Sequence, residues 1–97
     1  KEKTGTIIYD SDNKAANPIG YGIQVGYYKN LDNCSKELVQ FQSKYKTPGY
    51  ILTEKKSQNT YYRLIIGAFK DKKQALTLQL QLKKQIPGCF IYKWNSQ

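Results

Sequence analysis

Tyr21, Ile23 and Val25 alternate with Gly22, Gln24 and Gly26, the period-two pattern of a strand with one buried face. Asn30 then offers a helix N-cap, and Leu31, Cys34, Leu38, Phe41 and Tyr45 follow at spacings of three and four. That spacing is one apolar stripe of an amphipathic helix. Pro48-Gly49 stops it. Tyr50-Ile51-Leu52-Thr53 predicts a second strand, with Lys55 to Asn59 as the turn that follows.

The same phrase recurs 41 residues later, with Tyr62, Leu64, Ile66 and Gly67 falling on Tyr21, Ile23, Val25 and Gly26. Phe69 falls on Tyr28, Lys70 on Lys29 and Asp71 on Asn30. Asp71 followed by Gln74 resembles a capping box, and Ala75, Leu78, Leu82 and Ile86 form the second helix's core stripe. Pro87-Gly88 ends this helix, and Cys89 to Trp94 reads as the last strand.

The order is therefore β-α-β, turn, β-α-β. Each half is too small to cover its own apolar faces. Packing both helices on one face of a single sheet solves this for both, giving an α+β, ferredoxin-like (RNP-like) βαββαβ domain with a four-stranded antiparallel sheet. Right-handed crossovers put the first and third strands in the centre and the fourth beside the first. Residues 1–19 carry turn formers and charges and read as a linker or N-terminal extension. Thr6 to Tyr9 could add a short strand there, and the domain proper spans 20–95.

On this plan Ile23, Val25, Leu64 and Ile66 point into the core, while Gln24, Tyr61, Arg63 and Ile65 point to the face without helices. Gly26 and Gly67 close their strands. A bulge at each glycine turns Tyr28 and Phe69 inward and leaves Tyr27 beside Gln24. The uncovered face then offers Gln24, Tyr27, Tyr61 and Arg63: an amide, two aromatic plates and a cation. Ordinary cross-strand packing on a solvated sheet would use similar residues, yet nine tyrosines in 97 residues favour a binding surface.

Sixteen Lys plus Arg against seven Asp plus Glu give a formal charge of +9. Such an excess suits solubility or a polyanionic partner, whether nucleic acid, anionic lipid or an acidic wall polymer. Arg63 is the sole arginine, which argues against a dedicated phosphate reader. With no histidine the chain lacks the commonest general base and zinc ligand, and its carboxylates form no catalytic pair. A non-catalytic binding module without cofactor or metal is the expectation. No run approaches the roughly 20 apolar residues of a membrane helix.

The phrases QVGYY with NLDNC, then YYRLIIGAF with a D-x-x-x-A helix start, closely resemble the SPOR domain (sporulation-related repeat) over residues 20 to 94. The resemblance implies the fold deduced above. It also implies a peptidoglycan-binding module that recognises denuded glycan strands, stripped of stem peptides at sites of cell division. On it the glycan lies across the exposed sheet face. The family's first-strand glutamine falls on Gln24, a small polar position on Tyr27, an aromatic on Tyr61 and a strand arginine on Arg63. Tyr27 departs from the usual serine, and Ile65 from an often polar residue. The expected setting is the bacterial periplasm or cell envelope, as a monomer contacting neither membrane nor nucleic acid. A longer parent protein could itself be a cell-wall enzyme.

Cys34 and Cys89 can meet in this topology, because the start of the last strand lies near the end of the first. An envelope compartment permits oxidation, so a disulfide and two small buried thiols both remain open. Two other functions compete with glycan binding. One is an RRM-like single-stranded nucleic-acid binder, which YYRLIIGAF fits poorly for want of alternating aromatics. The other is a protein-interaction module using the 6–9 segment or a sheet edge.

Overall fold

In the computed structural model, which describes residues 6–94, Asn30 has extended backbone and its Oδ1 accepts the Asn33 N–H at 3.1 Å. This bond satisfies one of the free amide donors at the start of α1 (Leu31–Tyr45). The helix ends when Lys46 turns left-handed (φ 52°), ahead of Pro48. Asp71 occupies the N-cap of α2 (Lys72–Lys83), but its side chain makes no cap hydrogen bond, so the expected capping box does not form.

The strands are β1 (Thr6–Tyr9), β2 (Tyr21–Tyr28), β3 (Gly49–Lys56), β4 (Asn59–Phe69) and β5 (Phe90–Lys93). They make one antiparallel sheet in the order β1-β3-β4-β2-β5, with β4 and β2 central and β5 beside β2. The fold is α+β with two helices, and the four-stranded expectation is corrected to five. The added strand is the 6–9 segment, whose Thr6 to Tyr9 pair with Glu54 to Ile51 along the edge of β3. Four residues are too few for a sequence pattern to separate a strand from a loose tail. Residues 1–5 of the extension and residue 95 lie outside the described residues.

Two bulges set the faces. Gln24 pairs with Ile65 and Gly26 with Leu64, so Val25 is an extra residue on β2. Tyr21 pairs with Phe69 and Ile23 with Ile66, so β4 carries an extra residue near Gly67, whose φ is +91°. Both strands continue past their glycines, which therefore lie within the strands and do not close them. What the glycines provide is room. A Cβ on Gly26 would lie 2.4 Å from the Tyr28 ring, and one on Gly67 would lie 2.5 Å from the Phe69 ring. In each half, the aromatic two residues on folds over the bare Cα and packs against the core beneath the helices.

That core joins Ile23, Leu64 and Ile66 of the central strands to Ile51, to Cys34, Leu38 and Phe41 of α1, and to Ala75, Leu78 and Leu82 of α2. A second, smaller cluster lies on the opposite face. There Trp94 covers Leu52 and Ile65, with Ile8, Tyr50, Ala68 and Tyr92 around them. The Trp94 indole Nε1–H donates to Gly67 O at 3.0 Å, and its ring meets Tyr50 and Tyr92 edge-on. Ile65, expected at an open surface, is fully buried here. The face away from the helices is thus only partly open.

Candidate functional site

The uncovered part of that face lies beyond the Trp94 cluster, where β2, β4 and β3 run side by side. Pairing of Tyr27 with Arg63 places both on it, because the Val25 bulge has put Tyr27 in phase with Gln24. Tyr61 is two residues from Arg63 along β4 and so shares its face. All four residues named from the sequence come together. The Tyr27 and Tyr61 rings stack with centroids 5.4 Å apart and planes 11° from parallel. The Arg63 guanidinium carbon lies 5.1 Å from the Tyr27 centroid, within cation–π range. Arg63 Nη1 donates to Gln24 Oε1 at 3.2 Å.

Two further residues complete the surface. Glu54 of β3, paired with Tyr61, accepts a hydrogen bond from Arg63 Nε at 3.1 Å. Phe90 of β5, paired with Gln24, is 47% exposed. Glu54 escapes a sequence reading that ends the strand at Thr53, whereas β3 continues to Lys56 and turns through Ser57 and Gln58. Phe90 could have been found from alternation, since an inward Ile91 sends its neighbour to the other face.

Gln24 is 7% exposed, a buried amide held by a guanidinium that is itself held by a carboxylate. A buried polar side chain needs such partners to be tolerated. The tyrosines orient one another, and the Tyr27 ring has both Tyr61 and the Arg63 guanidinium beside it. Among the described residues, the charged side chains that β2, β3 and β4 place on this face are Arg63, already paired, with Glu54 and Lys56. The helix layer carries more, including Lys36, Lys44, Lys72, Lys73 and Lys83.

Two pockets lie away from this cluster. One of about 390 Å³ is lined by Tyr9, Leu31, Ile51, Thr53 and Tyr62, and one of about 210 Å³ sits between the helices at Phe41, Lys44 and Gln85. The polar cluster is an aromatic-sided stretch of sheet face. Among the described residues no group of three or more His, Cys, Asp or Glu side chains could hold a metal ion. No helix among them is long and apolar enough to cross a membrane.

Cys34 and Cys89 are buried free thiols in the helix-side core. Burial, with a smaller contribution from the Glu37 carboxylate, pushes the Cys34 thiol up from 9.0 to about 12. Burial also raises Cys89, opposed by Lys83.

A family model described as SPOR domain matches residues 17–93. The chain belongs to the SPOR domain family. SPOR domains are generally peptidoglycan-binding and occur in bacterial envelope proteins. No curated protein and no solved structure matches the chain at a significant level. In this SPOR domain Gln24, Tyr27, Tyr61 and Arg63 lie together on the sheet face away from the helices.

Proposed function

We propose that this SPOR domain is a non-catalytic targeting module that lays a peptidoglycan glycan strand across the polar end of its sheet face. It favours strands that amidases have stripped of stem peptides, as found at division sites in the cell envelope. The observation that carries the reading is the stacked Tyr27–Tyr61 pair beside the Gln24–Arg63 hydrogen bond, on a face no helix covers.

The chemistry suits a sugar chain. Pyranose rings present C–H faces that rest on aromatic planes, and the outer faces of Tyr61 and Phe90 are placed to receive them. Acetamido carbonyls need donors. The Gln24 amide supplies one, since its Oε1 already faces Arg63 and its NH₂ is turned away. A peptide stem on every second sugar would hold the strand away from the sheet, so a bare strand approaches more closely than an intact one.

Pull-down on purified sacculi tests the reading. The 97-residue chain should be retained more strongly on amidase-treated sacculi than on untreated ones, and Gln24→Ala should weaken retention without unfolding the domain. Equal retention on both would remove the preference for denuded strands. Retention of single-stranded RNA, falling steeply with salt, would favour a nucleic-acid partner instead.

A further inference from the structure

The arginine of this surface has little charge left to offer. Resting on the glycan reading above, we infer that Glu54 is a positioning residue that makes the site read the neutral acceptors of the glycan and not its carboxylates.

Arginine grips a carboxylate through one of two planar forks, Nε with Nη2 or Nη1 with Nη2. Here Glu54 holds Nε at 3.1 Å and Gln24 holds Nη1 at 3.2 Å. The side-on fork is therefore blocked at Nε, while Nη1 gives one of its two hydrogens to Gln24. An incoming carboxylate would displace Glu54 from Nε or bind the Nη edge beside a fixed negative charge. The pair is only partly screened by solvent, with the Arg63 and Glu54 side chains 25% and 23% exposed. At such depth the like charge of Glu54 opposes a second carboxylate appreciably.

The same contacts build something useful for a neutral ligand. Glu54 fixes the guanidinium plane, the guanidinium fixes the Gln24 carbonyl, and the Gln24 NH₂, the second Arg63 Nη1 hydrogen and the Nη2 hydrogens are left as donors. The Glu54 carboxylate offsets the Arg63 charge beside these donors, and Lys56 lies two residues further along β3. Acetamido and hydroxyl oxygens match that arrangement. The preference for denuded strands then comes from the absence of a bulky stem. The lactyl carboxylate that amidase exposes contributes little.

The test compares natural amidase-denuded strands with the same strands after their lactyl carboxylates are converted to neutral methylamides. The wild-type chain should bind both within about twofold. Glu54→Gln frees the Arg63 charge and should bind natural strands about fivefold more tightly than neutralised ones. Glu54→Asp, which keeps the carboxylate, should stay close to wild type in this ratio. A wild-type loss of about tenfold or more on neutralisation, or no change of ratio in Glu54→Gln, would overturn the inference. Absence of wild-type binding to either strand would instead overturn the glycan reading beneath it.

Discussion

On the helix side of the sheet, Ile23, Leu64 and Ile66 are fully buried between the central strands and two helices. On the other side, residues of β2, β4 and β3 divide into two parts. Ile65 and Leu52 are sealed under Trp94, and beyond them Arg63, Gln24 and Tyr27 form a polar and aromatic surface. The difference shows how a small domain keeps a binding face. One side supplies most of the apolar burial. The other has a smaller cluster around Trp94 and leaves the rest to cross-strand hydrogen bonds and ring stacking, whose positions are set by register and bulge.

The comparison can be broken most forcefully at Trp94. Trp94→Ala removes the indole that covers Leu52 and Ile65 and should cost about 3–5 kcal/mol of unfolding free energy, read by urea denaturation. A loss below about 1 kcal/mol would show this end to be open surface after all. Leu64→Ala on the helix side should cost about 2–5 kcal/mol. Costs of this size on both sides are what two separate buried clusters predict.

Gly67→Ala comes next. Its backbone is left-handed at +91° and a Cβ would strike the Phe69 ring, so about 1–3 kcal/mol should be lost. Gly26 has no positive φ, so Gly26→Ala strains only its contact with Tyr28 and should cost less.

Alkaline titration separates the sides in a different way. Cys34 titrates near 12 in the folded chain against 9.0 for an ordinary thiol, because burial disfavours its thiolate. Cys89 and Tyr28 shift in the same direction, mainly through burial. Between those values the unfolded chain holds fewer protons than the folded one, so stability is fully present below about 9.0 and falls as pH rises towards 12. Cys34→Ala should flatten that slope. Thiol-reactive reagents should reach neither cysteine in the folded protein at neutral pH, and a mass lower by two hydrogens without reductant would reveal a disulfide.

Much of this was legible in the chain. The repeat of Tyr-x-Ile-x-Val-Gly as Tyr-x-Leu-x-Ile-Gly located the two central strands, and the Asn30 and Asp71 positions located both helix starts. Phase analysis across the glycines was enough to put Tyr27 beside Gln24. The rest depended on partners distant in sequence. Thr6 to Tyr9 is a strand because β3 offers an edge, which four residues cannot announce by themselves. Ile65 is buried because Trp94, 29 positions on, returns over it. Glu54 enters the site only because β3 and β4 stay paired to Lys56 and Asn59, beyond the point where lysines and polar residues suggest a turn.

The smallest effect on stability should accompany the largest effect on binding. Tyr61 lies at the edge of the polar surface, so Tyr61→Ala should cost about 1 kcal/mol or less. Its retention on amidase-treated sacculi, measured beside wild type, is the most direct test of the proposed glycan surface. The account predicts that wild type is retained and that folded Tyr61→Ala is largely lost to the supernatant. Retention of folded Tyr61→Ala equal to wild type would contradict it.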